Sequence, residues 1–306
     1  MRQRRPRYSY RRRRQGARRS TVLGIVVLLL AAGVGIAVIA TRNSGGSGAA
    51  SAASGKTSGG RDPSSHHRDR QLTAAERRAA ADSKLISATL RRSSFITAGT
   101  PRHRAIALTF DDGPGPYTPA ILRILVRMHV PATFFIVGQE LKDFSGAIHS
   151  ELRDGYVIGD HTENHAWLPH LTPAGQLGQI RDAAAGLQRL GAPAPRLFRP
   201  PYGAFNDVTI RLLRRMHMLM VLWSIDPGDW RRPGAGAIVS GVLSHARPGA
   251  VVIMHDGGGD RSQTVAALPA IVNGLRKRHY GLVSLPRLLS LDPPPRGGRP
   301  PRLSGV

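Results

Sequence analysis

Between about residues 103 and 290, blocks of apolar positions alternate with blocks in which apolar residues recur at helical spacing. AIALTF is a short buried-strand pattern, and TPAILRILVRMHV after it has the spacing of an amphipathic helix. ATFFIV reads as a strand, FSGAIHSELRDG as a helix and YVIGD as a strand. TPAGQLGQIRDAAAGLQRLG reads as a helix with Thr172 as N-cap, Pro173 at the first helical position and Gly191 at its end. RLFRP, a helix over DVTIRLLRRMHM, LMVLWSID, a helix over 236–246, AVVIMHD, a helix over 263–279 and GLVSL continue the alternation. Strand–helix repetition with short connections predicts an α/β fold on a parallel sheet. About seven strands over some 185 residues predict a compact, distorted and incomplete (β/α) barrel.

Upstream, the pattern changes. TVLGIVVLLLAAGVGIAVIA, residues 21–40, holds twenty positions without a charge, enough as a helix to cross about 30 Å of hydrocarbon. Residues 1–20 carry ten Arg and no acid, which places them on the cytoplasmic side and the rest of the chain outside. The apolar stretch exceeds the roughly 7–15 residues of a signal-peptide core, which favours an uncleaved single-pass anchor over cleavage after Ala40. Residues 41–70 read as a flexible Gly/Ser/Ala linker, 71–102 as a stalk of helix-forming composition, and 291–306 as a disordered Pro/Arg tail.

The charge map sharpens this division. Of the net +25, residues 1–20 hold +10, 41–102 hold +7, 103–290 hold +6 and 291–306 hold +2. The excess lies mostly outside the folded part, so the pattern argues against a nucleic-acid partner, which calls for a basic face on the domain itself. With no Cys, the chain uses neither disulfides nor thiolate metal ligands.

The polar residues of 103–290 collect at C-terminal strand ends, where parallel α/β folds build active sites. Asp111 and Asp112 end the first strand, His161 and His165 follow YVIGD, and Arg199 ends RLF. Asp226 and Asp229 follow LMVLWSI, while His255 and Asp256 follow AVVIM. Each has a plainer explanation alone. His161-x-x-x-His165 would set two imidazoles on one face of a helical turn, which suits a divalent metal, but twelve His make such a pair common by chance. Asp-Gly-Pro is often only a turn signal.

Together and in this order, TFDDGP, HTENH, RPPYG, DPGDW and VIMHD resemble the polysaccharide deacetylase family, carbohydrate esterase family 4. HTENHAWLPHLT and WSIDPGDW extend the likeness, and Ile253 departs mildly from the usual Leu two residues before the last His. The resemblance implies a distorted (β/α) barrel and metal-assisted removal of acetyl groups from N-acetylated sugars of a surface polysaccharide. Peptidoglycan is the first choice of substrate, and exopolysaccharide or chitin-type oligomers are the runner-up; the alternative from another class is a catalytically silent carbohydrate-binding module, against which the intact base, ligands and acid argue. Asp112, His161 and His165 become the metal ligands. This three-residue N/N/O set leaves a position open and suits zinc, with other first-row divalent ions able to fit. The turn GPGP, ending the strand, would let both carboxylates enter one cleft. Asp111 is assigned as general base held by Arg199, and His255 as general acid held by Asp226. The backbone N–H of Tyr202 is the second oxyanion donor, while Pro201, Tyr202, Trp230 and Ile253 line the substrate pocket.

Overall fold

The computed structural model describes residues 73–297. The expected anchor at 21–40 and linker at 41–70 lie outside the described residues, among which no helix is long and apolar enough to cross a membrane. In chain order, α1 (Ala74–Leu90) and β1 (Phe95–Ile96) lead into β2 (Ala105–Gly113), α2 (Thr118–Arg127), β3 (Ala132–Ile136), α3 (Leu141–Asp154) and β4 (Val157–Asp160). Then come α4 (Pro173–Arg189), β5 (Leu197–Phe198), α5 (Asp207–Arg215), β6 (Leu219–Val221), α6 (Ala235–His245) and β7 (Val251–His255). The chain closes with α7 (Ser262–Lys277), β8 (Gly281–Leu282) and α8 (Leu285–Leu291).

All strand pairs are parallel, in the order β1-β6-β5-β4-β3-β2-β7, with β8 on β2. The curve is nearly closed by two bridges, Ala98 to Ala250 and Ile225 to Val252; at the second, the N–H of Ile253 donates to the carbonyl of Ile225 at 3.0 Å. This is the incomplete barrel that the alternation predicts. On β2 the outward residues Ile106, Leu108 and Phe110 pack in one cluster with Ile121 and Leu125 of α2 and Leu268 and Ile271 of α7. The inward face carries Ala105, Ala107, Thr109 and Asp111, small residues giving way to polar ones towards the cleft. Burial on both faces is why this strand reads as an apolar run rather than an alternating one.

Three expectations need correction. The stalk is part of the domain: α1 buries Ile86 against Leu285 and Leu288 of α8, and β1 extends the sheet by pairing with β6. GLVSL contributes only the two residues of β8, because Pro286 sits in the first turn of α8, whose leucines plug the lower end of the barrel beside Ala105 and Ala107. The tail begins ordered. The buried Asp292 accepts from the backbone N–H of His103 at 3.2 Å, and the N–H of Gly297 donates to the carbonyl of Arg92 at 3.2 Å.

Candidate active site

Two neighbouring residues of a regular strand point to opposite faces, so Asp111 and Asp112 could not share a site without an irregularity. The irregularity is a β-bulge. Asp111 pairs with Phe135 and Gly113 with Ile136, which leaves Asp112 as the extra residue, at φ 67°. The strand thus runs on to Gly113, and it is the bulge rather than the turn after it that brings both carboxylates to one cleft. Gly258 (φ 69°) completes the device, since a Cβ there would lie 2.5 Å from Asp112 Oδ2.

Asp112 Oδ1 lies 3.1 Å from His165 Nε2 and 3.4 Å from His161 Nε2, and one donor atom from each of the three residues fits within a 4.8 Å cluster. The pair does not sit on a helical turn. HTENH is a loop with Thr162 at φ 71° and His165 at φ 56°, and these left-handed residues converge the rings. The buried Asp160 fixes the start of this loop by accepting from the N–H of Thr162 at 2.8 Å. His161 Nδ1 donates to the carbonyl of Arg199 at 2.6 Å, which turns Nε2 towards Asp112 as the atom left to bind a cation. An imidazole nitrogen aimed at a carboxylate oxygen that is itself buried without a hydrogen bond is a donor set that a divalent cation satisfies.

Asp111 belongs to a separate network. Its Oδ1 accepts from Arg199 NH1 at 2.5 Å, while Oδ2 faces His161 Nε2 at 3.8 Å. Arg199 is fully buried, bonded also to Thr109 Oγ1 (2.8 Å) and the carbonyl of Val221 (3.2 Å), and its guanidinium lies 4.1 Å over the ring of Phe135.

His255 is the in-register partner of Asp111 on the neighbouring strand. Its Nδ1 donates to Asp229 Oδ1 at 2.7 Å, and Asp229 Oδ2 accepts from the His255 backbone N–H (2.9 Å) and Thr264 Oγ1 (2.8 Å). Burial works against the imidazolium, but the bond to Asp229, with the charges of Asp229, Asp111 and Asp112, raises its pKa to about 9. The assignment of Asp226 as the partner of His255 is therefore overturned. Asp226 is exposed and accepts from the N–H of Gly228 at 2.8 Å, a local turn contact.

Of the expected pocket residues, Tyr202 (φ 60°, 57% exposed) has its ring centre 4.5 Å from that of His165, edge to face, and 5.1 Å from that of Trp167. Pro201 and Ile253 are buried, and Ile253 shares the strand face of His255. Trp230 is 48% exposed with the Arg231 guanidinium 4.5 Å over its ring. Sequence reasoning placed Asp256 at a strand end but gave it no role. It is fully buried, accepts from Thr118 Oγ1 at 2.5 Å, and has its pKa pushed up to about 7, first by burial. It ties the start of α2 to the end of β7, directly behind the bulge.

A family model described as polysaccharide deacetylase matches residues 98–221. A peptidoglycan-N-acetylglucosamine deacetylase of Bacillus cereus is 37% identical over 209 residues, which cover 67% of this chain and 98% of that protein. A chitooligosaccharide deacetylase of Bradyrhizobium sp. is 36% identical over 212 residues, covering 65% of this chain and 95% of that one. The crystal structure of the Bc1960 peptidoglycan N-acetylglucosamine deacetylase aligns with TM-score 0.63 at 32% identity, over 66% of this chain and 95% of that one.

Proposed function

The chain belongs to the polysaccharide deacetylase family, carbohydrate esterase family 4, and from that premise we propose that it removes N-acetyl groups from the N-acetylglucosamine residues of peptidoglycan. The observation that carries the chemistry is the in-register pair of Asp111 and His255, each held by an oppositely charged partner, beside the Asp112, His161 and His165 cluster. Those three residues would hold a divalent cation, with zinc first by its preference for two imidazoles and a carboxylate; when bound, it polarises the acetamide carbonyl and acidifies the attacking water. Asp111 takes the proton of that water at Oδ2, because Oδ1 is engaged by Arg199. The Arg199 cation orients Asp111 by donating to its Oδ1. The backbone N–H of Tyr202 is the proposed second donor to the developing oxyanion. His255, charged below about pH 9 and fixed through Nδ1, delivers the proton of Nε2 to the departing sugar amine. Neighbouring strands lie about 4.8 Å apart, so base and acid can act on opposite sides of one amide carbon.

The chitooligosaccharide relative is nearly as similar as the peptidoglycan one, so the choice of glycan rests on topology. We propose that residues 21–40 anchor the chain in the membrane, with the domain on the outer side facing the wall. Acetate released by the full chain from purified peptidoglycan should exceed that from chitin oligomers at equal N-acetyl concentration. A preference for the oligomers would overturn the peptidoglycan assignment while leaving deacetylation in place.

The two aspartates of DPGDW give a further expectation. Asp229→Asn removes the anion that raises the His255 pKa, so the alkaline limb of the pH–rate profile should move down from about 9 towards the ordinary histidine range of about 6.5. Asp226→Ala should leave the limb where it is. The profile of acetate release measured for both variants distinguishes the two acids.

A further inference from the structure

A cavity of about 480 Å³ opens on the face of the domain opposite the cleft. Its wall residues include Ser93, Arg196 and His217, which precede β1, β5 and β6, so it lies at the N-terminal strand ends whereas the catalytic groups lie at the C-terminal ones. Arg91 and Arg92 from the end of α1 and Arg214 from the end of α5 complete the lining. Among the described residues, no carboxylate lines it. Among the described residues, arginines that do meet acids include Arg199 with Asp111, Arg153 with Asp154 and Arg232 with Asp260.

Arg196 is fixed by donating to the carbonyl of His217 (2.8 Å), Ser83 Oγ (2.7 Å) and Ser87 Oγ (3.1 Å), with two of its five N–H groups left over. Arg92 spends only Nε, on the carbonyl of Pro294 at 3.0 Å. The side chains of Arg91 and Arg214 make no hydrogen bond or ion pair with a described residue. Both stand at helix C-termini, where the dipole favours a cation, but Arg92 and Arg196 lie outside any helix. Four arginines line this one cavity, and an anion held among them would offset their mutual repulsion. Guanidinium forks suit a tetrahedral oxyanion, which takes paired N–H donors on several oxygens.

We propose that this cavity is a phosphate-binding site. A phosphate held there would turn the catalytic cleft away from whatever carries it. The same chemistry is offered by free inorganic phosphate and by the phosphodiester of a glycerophospholipid headgroup.

The test titrates the full chain, kept in detergent micelles, with inorganic phosphate and with glycerophosphoglycerol, reading heat of binding and thermal unfolding. Residues 1–20 also attract anions, so the readout is the difference between the parent and the Arg91→Gln/Arg214→Gln double variant, in which both substituted side chains are exposed. Expected is a saturable phosphate site that raises the unfolding temperature, with a dissociation constant at least about tenfold weaker in the double variant. Acetate release from a soluble oligosaccharide in phosphate-free buffer should be the same in both. Binding of both probes identifies a headgroup site, and binding of inorganic phosphate alone identifies a site for free phosphate. Equal affinity in parent and variant, or no stabilisation by either probe, would overturn the proposal and leave the arginines as helix-end charges.

Discussion

Asp111→Asn should lower acetate release by about 10²–10⁴-fold while the metal content of the protein stays at that of the parent. Asparagine keeps the shape of the side chain but cannot accept the proton of the attacking water. Its position confines the damage, because Asp111 is bonded to Arg199 and faces the metal cluster only through His161 at 3.8 Å. Asp112→Ala should do the reverse in metal content, stripping most of the bound ion by removing the oxygen on which both imidazoles converge. Excess metal should restore part of the Asp112 variant by mass action and none of the Asp111 variant. Elemental analysis beside acetate release decides the matter. Equal metal loss in both would make both carboxylates ligands, and normal metal with normal activity in both would reduce DDGPGP to a turn. Stability will also fall in Asp111→Asn, by about 3–5 kcal/mol, because the buried Arg199 loses its anion. The comparison therefore belongs well below the variant's unfolding temperature.

His255→Ala should cost about 10²–10⁴-fold in turnover with metal and fold intact. The fold should survive because Asp229 keeps two of its three bonds, to the backbone N–H of residue 255 and to Thr264. The same substitution should erase the alkaline limb near pH 9, since the group that titrates there is gone. Its stability effect has a definite sign. The folded pKa is raised above the ordinary 6.5, so the ion pair stabilises fully below about 6.5 and its contribution fades as pH rises towards about 9. Unchanged turnover, or loss of folding at every pH, would make His255 a packing residue instead.

Most of the site is legible because its residues stand where a predicted strand ends. Asp111, Asp112, His161, His165, Arg199 and His255 all satisfy that condition, and the barrel brings them together. Asp226 and Asp229 satisfy it equally. Which of them meets His255 depends on the path of the turn between them, where Gly228 is left-handed and Asp229 opens a 3-10 turn that carries it inward. Periodicity carries no trace of that path. The bulge is similar: adjacent aspartates raise the question, but the answer lies in one positive φ at Asp112. β1 has two residues and therefore no period to detect, and α8 is hidden by an apolar composition that suits strand or helix alike.

The placement of α1 and β1 has a practical consequence for anyone cutting the gene. The family match begins at residue 98, and composition invites a start near 103, yet either boundary discards β1 and bares the edge of β6 at Met220 and Val221. That edge would present unpaired amides along an apolar strand, a template on which a second molecule can add. Removing α1 also uncovers Leu285 and Leu288 at the barrel floor. A fragment that begins before Thr73 and ends after Gly297 should stay monodisperse where a shorter one precipitates.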